Sequence, residues 1–307
     1  AIPDYAFTST NLTNLTIPNS VEKIGYLALA NMTRLNTLSL PTMRDDNGFS
    51  LFRLFGSGGV NGWKIPQSLK NIIITGSTES AQCDLGDYVE SLVFIGSPEN
   101  IQIEGNCLKE LKLPDRIKSI DIYVKNIQFS DTLSLPDGLE EVKSIHCPSV
   151  KKIILPASVK RISPYALRGN KDLEYIVMPV GDNTFRGYFD FDYGTSSVML
   201  PKSLKTVKII GTPTVLPKAY FKFCKSIQNI ILPDTIEIFE EESISLCENL
   251  KKLTIPKNLK EIKYYALDRS ALSNIYLPEG LEKIGDYAVF TSLISSSFTA
   301  LGTWGNL

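Results

Sequence analysis

Short apolar runs in this chain alternate hydrophobic and polar positions and then stop at a proline. Eleven of them end in Ile, Leu or Met followed by Pro18, Pro41, Pro66, Pro114, Pro136, Pro156, Pro179, Pro201, Pro233, Pro256 or Pro278, most of them 20 to 25 residues apart. Gly96, closing Leu92-Val93-Phe94-Ile95-Gly96, fills the gap between Pro66 and Pro114, which makes about twelve units of one repeat.

The fullest units, residues 12–29, 150–167, 250–267 and 272–289, read L-x-x-[IL]-x-[ILM]-P-x-x-[VIL]-x-x-I-x-x-x-A-[LFV]. Anchors two apart, such as Leu15 and Ile17, fall on one side of an extended segment. Proline then ends the strand, because it has no N–H to give a ladder. A second apolar pair, such as Val21 and Ile24, begins a return leg, and the Ala-Leu or Ala-Phe step predicts one helical or 3-10 turn. A coil this short cannot bury its apolar side chains alone, so neighbours must stack around a continuous core. The expected architecture is a repeat solenoid: one domain over residues 1–307, about twelve coils, with a parallel β-sheet face.

The run L-x-x-I-x-[IL]-P-x-x-[VL]-x-x-I-x-x-x-A-[FL]-x-x-C resembles the BspA-like leucine-rich repeat of bacterial cell-surface proteins over nearly the whole chain. The resemblance implies a right-handed leucine-rich repeat superhelix. It also implies secretion or surface display with a signal peptide already removed, and adhesion to a host protein, another cell or a glycan. Residues 67–108 and 115–132 depart from the pattern by lacking the Ala-Phe turn, and the Pro201 to Pro233 unit is stretched to 32 residues. Irregular coils or side loops are expected there.

Charge narrows the class of ligand. Lys and Arg number 32 against 33 Asp and Glu, so no overall basic excess exists to neutralise a phosphate backbone, and nucleic acid is not the expected partner. No apolar run is long enough for a membrane-spanning helix. The chain opens on Ile2-Pro3-Asp4-Tyr5-Ala6-Phe7, the second half of a repeat, as expected of a mature form or a piece of a longer precursor.

Cys147, Cys224 and Cys247 lie nine residues before their proline, a column shared with Ser9, Met32 and Asn170. This register predicts a ladder of buried free thiols, each packing as a small hydrophobe. With no C-x-x-C, a structural zinc site is not expected, and neither is any cofactor. Catalysis has little to draw on. His146, the single histidine, adjoins Cys147, and neighbours on an extended segment face opposite ways. Asp190 and Asp192, alternating with aromatics, are read as a solvated strand face, and 45–48 and 181–183 as turns. No enzyme is expected.

Residues 51–76 resemble residues 188–211, an offset of 135. Each copy contains an aromatic-rich detour, near 42–65 (Phe49, Phe52, Phe55, Trp63) and near 180–200 (Phe185, Tyr188, Phe189, Phe191, Tyr193). These rings either pack over an irregular coil or meet a partner. A second candidate surface comes from the position two before each proline, which must point outward between two inward anchors. That column runs Thr16, Ser39, Lys64, Phe94, Lys112, Ser134, Ile154, Val177, Met199, Ile231, Thr254 and Tyr276. Ile154, Val177, Met199 and Ile231 form an apolar stretch, with Tyr175 beside it, and are expected to contact a protein partner. The ligand is a protein or glycan of unspecified identity. The alternative role is a structural spacer or stalk.

Overall fold

The computed structural model describes residues 1–42, 49–56, 65–181, 185–186, 198–290 and 299–300, and divides into two compact units, Ala1–Val150 and Lys151–Leu307. Each unit is a β-solenoid of parallel strands. Among the described residues the two units together make about eleven turns.

In the first unit, Asn14–Thr16, Thr37–Leu40, Asn71–Ile74, Ser91–Phe94 and Glu110–Lys112 form one parallel sheet in that order, here called the proline sheet. Leu38, Ile72 and Leu92 stack in register and are fully buried, as are Leu40 and Ile74. Truncating any one of them to alanine should cost about 2–5 kcal/mol, since the stack cannot collapse around the void. A second parallel sheet carries the return legs: Phe49–Ser50, Ser80–Asp84, Asn100–Leu108, Ser119–Ile127 and Glu141–His146. Irregular coils were expected at 67–108 and 115–132. The structure instead makes two nine-residue strands there, Asn100–Leu108 and Ser119–Ile127. The reason is period-2 alternation, with Ile101, Ile103, Ile120, Ile122 and Val124 buried and polar residues between them.

The second unit repeats the plan. Its proline sheet contains Lys152–Ile154, Tyr175–Pro179, Thr206–Ile210, Asn229–Ile231 and Lys252–Leu253. Its return sheet contains Val215–Leu216, Ile238–Phe239, Glu261–Ile262 and Lys283–Ile284.

The Ala-Leu segments are not the helical turns expected. Among the described residues the one helix is Phe52–Phe55. Every second N–H of an Ala-Leu segment instead reaches along the stack. Ala219, Phe221 and Phe223 donate to the carbonyls of Glu241, Ser243 and Ser245, and Glu242, Ile244 and Leu246 donate to those of Tyr264, Ala266 and Asp268. The intervening N–H groups close local turns, as Lys222 to Ala219 and Cys224 to Phe221. Alternation on this plan requires left-handed residues every fourth position: Ala219 and Phe223, Glu242 and Leu246, Tyr265 and Arg269, with φ between 50° and 65°. In the first unit Tyr5 and Ser9, and Leu27 and Asn31, do the same. A side chain in this conformation costs about 1–2 kcal/mol, which the axial hydrogen bonds and the burial of Ala-Leu offset.

Inside these turns sits the thiol column. Cys147, Cys224 and Cys247 are fully buried and free, alongside Met32 and Asn170. The Cys247 thiol donates to the Phe221 carbonyl at 3.1 Å. Ser9 does not belong to this column: it is exposed, because its N–H pairs with Ala30 and places it opposite left-handed Asn31.

Candidate binding face

Outward-pointing side chains of the second unit's proline sheet form two rows across its five strands, and exposed residues just before each strand form a third. Register is fixed by pairing of Ile154 with Val177, Val177 with Lys208, and Lys208 with Ile231. The row two before proline therefore runs Ile154, Val177, Lys208, Ile231, and Thr254 follows Leu253, the partner of Ile230. A second row runs Lys152, Tyr175, Thr206, Asn229 and Lys252. Immediately before each strand stands a third row, Lys151, Glu174, Lys205, Gln228 and Lys251, all of them exposed. The Lys205 ammonium lies 2.6 Å from the Glu174 carboxylate, and Lys152 sits over the Tyr175 ring at 5.0 Å from its centre. The Lys205 ammonium lowers the Glu174 carboxyl from its ordinary value, first through its hydrogen bond and then through its charge.

The expected apolar stretch is thus corrected at Met199, whose place belongs to Lys208. Met199 pairs with Arg186 instead, and its N–H donates to the Pro164 carbonyl at 2.8 Å. The same correction applies in the first unit, where Ile73 and not Lys64 follows Ser39, and Lys64 lies outside the described residues. In both places the proline closes a detour, and the strand that joins the sheet comes after it and ends at glycine: Asn71–Ile74 before Gly76, Thr206–Ile210 before Gly211. Phe94 is corrected too. It points inward, and Val93 occupies the outward row, paired with Ile73 and Lys112. Thr75 and Ile95 hold the position that proline holds in the Thr37–Leu40 strand, and Gly76 and Gly96 follow one residue later, where the stacked turns come too close for a Cβ. A Cβ on Gly96 would fall 1.8 Å from the Gly76 carbonyl oxygen.

Exposure separates the remaining candidates. Val177 points outward but is only 9% exposed, so it is not the open apolar surface expected. Ile154, Tyr175 and Ile231 are half-buried, and Tyr276 is 68% exposed on a strand paired with Thr299–Ala300. Of the first detour, Phe55 is fully buried and serves the core. The side chains of Phe49 and Phe52, and Trp63, Tyr188, Phe189, Phe191 and Tyr193, lie outside the described residues, as do Asp190 and Asp192. The side chain of Phe185 does so as well.

His146 lies flat against Tyr123, ring centres 4.3 Å apart and planes 8° apart, while Cys147 faces the core, so the two cannot form a nucleophile and base. Burial pushes the Cys147 thiol up to about 12. No three His, Cys, Asp or Glu among the described residues come together to hold a metal ion, and no described helix is long and apolar enough to cross a membrane.

Two features escape a reading of prolines alone. Tyr264, Tyr265, Tyr287 and Phe290 cluster on the turns of the second unit, with Tyr265 and Tyr287 stacked at 5.3 Å and Tyr264 set edge-on to Tyr265 at 4.2 Å. The residue before each Ala-Leu step holds the signal for Tyr265 and Tyr287. The second feature is the lysine content of the outward rows, readable only once Thr206–Ile210 is known to be in the sheet.

Solved structures of similar fold include a leucine-rich repeat protein from Bacteroides ovatus, 21% identical, covering 89% of this chain and 75% of that one with a TM-score of 0.40. Another, from Eubacterium ventriosum, is 16% identical and covers 96% of this chain and 86% of its own, with a TM-score of 0.38. A leucine-rich cell surface protein from Faecalibacterium prausnitzii is 18% identical over 91% of this chain and 79% of that one, with a TM-score of 0.29. Among curated proteins no sequence match is found. The BspA-type leucine-rich repeat region matches in six copies over residues 1–79, 99–210 and 214–301, and the chain belongs to that family.

Proposed function

We propose that this chain is a non-catalytic binding module, secreted or displayed at a cell surface, and that its ligand lies on the outward face of the second unit's proline sheet. Family membership supports the surface setting. One observation carries the choice of face: five in-register strands present Tyr175, Ile154 and Ile231 outward among polar side chains, and none of these three serves as an inward anchor of the core. An open sheet face gives a ligand many weak contacts at fixed spacing instead of one enclosing pocket. Tyr276 and the detour rings remain secondary contact candidates.

The test is retention of the immobilised chain by arrays of surface and matrix proteins and glycans, comparing wild type with I154E/I231E. Circular dichroism should be unchanged, since both side chains are only half-buried, and captured ligands should weaken about tenfold as charge enters the face. A well-folded variant that keeps every ligand would move the site elsewhere. A wild-type chain that captures nothing would favour a spacer.

A further inference from the structure

The outward rows of this sheet are charged in one sense. Together with the exposed residues that lead into its strands they contain Lys151, Lys152, Lys205, Lys208, Lys251 and Lys252 against a single carboxylate, Glu174. The chain as a whole has a net charge of −1, so the lysines are concentrated here and not spread by composition. Elsewhere many lysines near the strand starts find a carboxylate on a neighbouring coil. On the return sheet of the same unit Lys260 meets Glu237 at 2.8 Å and Lys283 meets Glu261 at 2.9 Å. On the proline sheet of the first unit Glu90 bridges Lys70 and Lys109. The ammonium groups of Lys208, Lys251 and Lys252 have no such partner among the described residues, and all three side chains are exposed.

Spacing makes the patch more than a sum of charges. In the outermost row Lys151, Lys205 and Lys251 alternate with Glu174 and Gln228, so cations recur every second strand, about 10 Å apart. That distance is comparable to the screening length at physiological salt, so the fields of neighbouring ammonium groups overlap above the sheet. Between them stand neutral hydrogen-bonding groups, Thr206, Gln228 and Asn229.

We propose that this face binds an anionic polysaccharide, sulfated or rich in uronic acid, lying along the stacking direction. The inference rests on the binding-module reading and names its ligand class. A linear polyanion satisfies repeated cations on an open surface, and its hydroxyls suit the intervening amides and hydroxyl. A folded protein partner fits less well, because cores of protein interfaces are depleted in lysine and rely on buried aromatic or arginine anchors. Here only Tyr175 is aromatic, and it is already engaged with Lys152.

The experiment uses the full chain and fluorescent heparin oligosaccharide as probe, with neutral dextran and poly-L-glutamate as competitors. Heparin should bind, weaken at least about tenfold as salt is raised well above physiological, and be displaced by neither competitor at equal mass. K208E/K251E/K252E should lose about tenfold or more, while K112E on the first unit's sheet should not change. Acetylation footprinting of the unmutated protein gives an independent reading: heparin should protect Lys208, Lys251 and Lys252 but not Lys112. Absence of heparin binding, unchanged binding by the folded triple variant, or equal displacement by poly-L-glutamate would overturn the assignment. Capture of a matrix protein through Ile231 with no heparin binding would overturn the polysaccharide alone and leave the binding module standing.

Discussion

Removing a buried hydroxyl should stabilise this protein. Ser243 and Ser245 lie on an Ala-Leu turn of the second unit, both buried, and neither side-chain oxygen has a hydrogen-bond partner among the described residues. Ser243 occupies the position where other coils have Ala28, Ala166, Ala266 and Ala288. Its backbone is fully used, the N–H bonding Glu240 and the carbonyl accepting from Phe221, so a change to alanine touches only the hydroxyl. A buried polar group left unsatisfied costs about 1–3 kcal/mol, and the methyl of alanine leaves a void no larger than one oxygen. Ser243→Ala should therefore stabilise by about 1 kcal/mol, and the double variant by up to about 2 kcal/mol, less if the two neighbours share a relaxation. Asn170→Ala is the control of opposite sign. Asn170 is equally buried, but its amide donates to the Leu167 carbonyl at 2.9 Å, so its loss should destabilise by about 1–2 kcal/mol. Urea unfolding followed by circular dichroism reads both as midpoint shifts at constant slope. A Ser243→Ala variant that unfolds at lower urea would mean that the hydroxyl is bonded, and would refute the argument.

Two further outcomes follow from the stacking. Gly96→Ala places a methyl 1.8 Å from the Gly76 oxygen and should lower stability by about 1–3 kcal/mol, whereas Gly280→Ala, with nothing within 4 Å, should stay within about 0.5 kcal/mol; equal effects in urea melts would show that the turns do not stack this closely. Cys83, Cys147 and Cys247, pushed by burial up to about 12, should resist a maleimide at pH 8 in the native state and react after denaturation. Rapid native labelling, read by mass spectrometry, would place them at the surface.

Much of the coil was legible in the chain itself. Anchors two apart followed by proline dictate a strand with one buried side, and a repeat too short to hold its own core dictates stacking. Leu38, Ile153 and Ile230 are accordingly buried in parallel register. The interior thiols were legible for the same reason, since a residue recurring in one column of a solenoid shares one environment. Tertiary structure decided three things. Whether the Ala-Leu step becomes helix depends on where its N–H groups find acceptors, and a neighbouring coil supplies carbonyls that no single repeat contains. Which strand fills a slot in the sheet, Lys208 instead of Met199 and Ile73 instead of Lys64, depends on pairing, because Pro66 and Pro201 carry the same local signal as every other proline but close a detour. The lysine face follows from that choice. Charges far apart in sequence become a patch only when stacking sets their strands side by side, so net charge could describe the chain and still miss the surface.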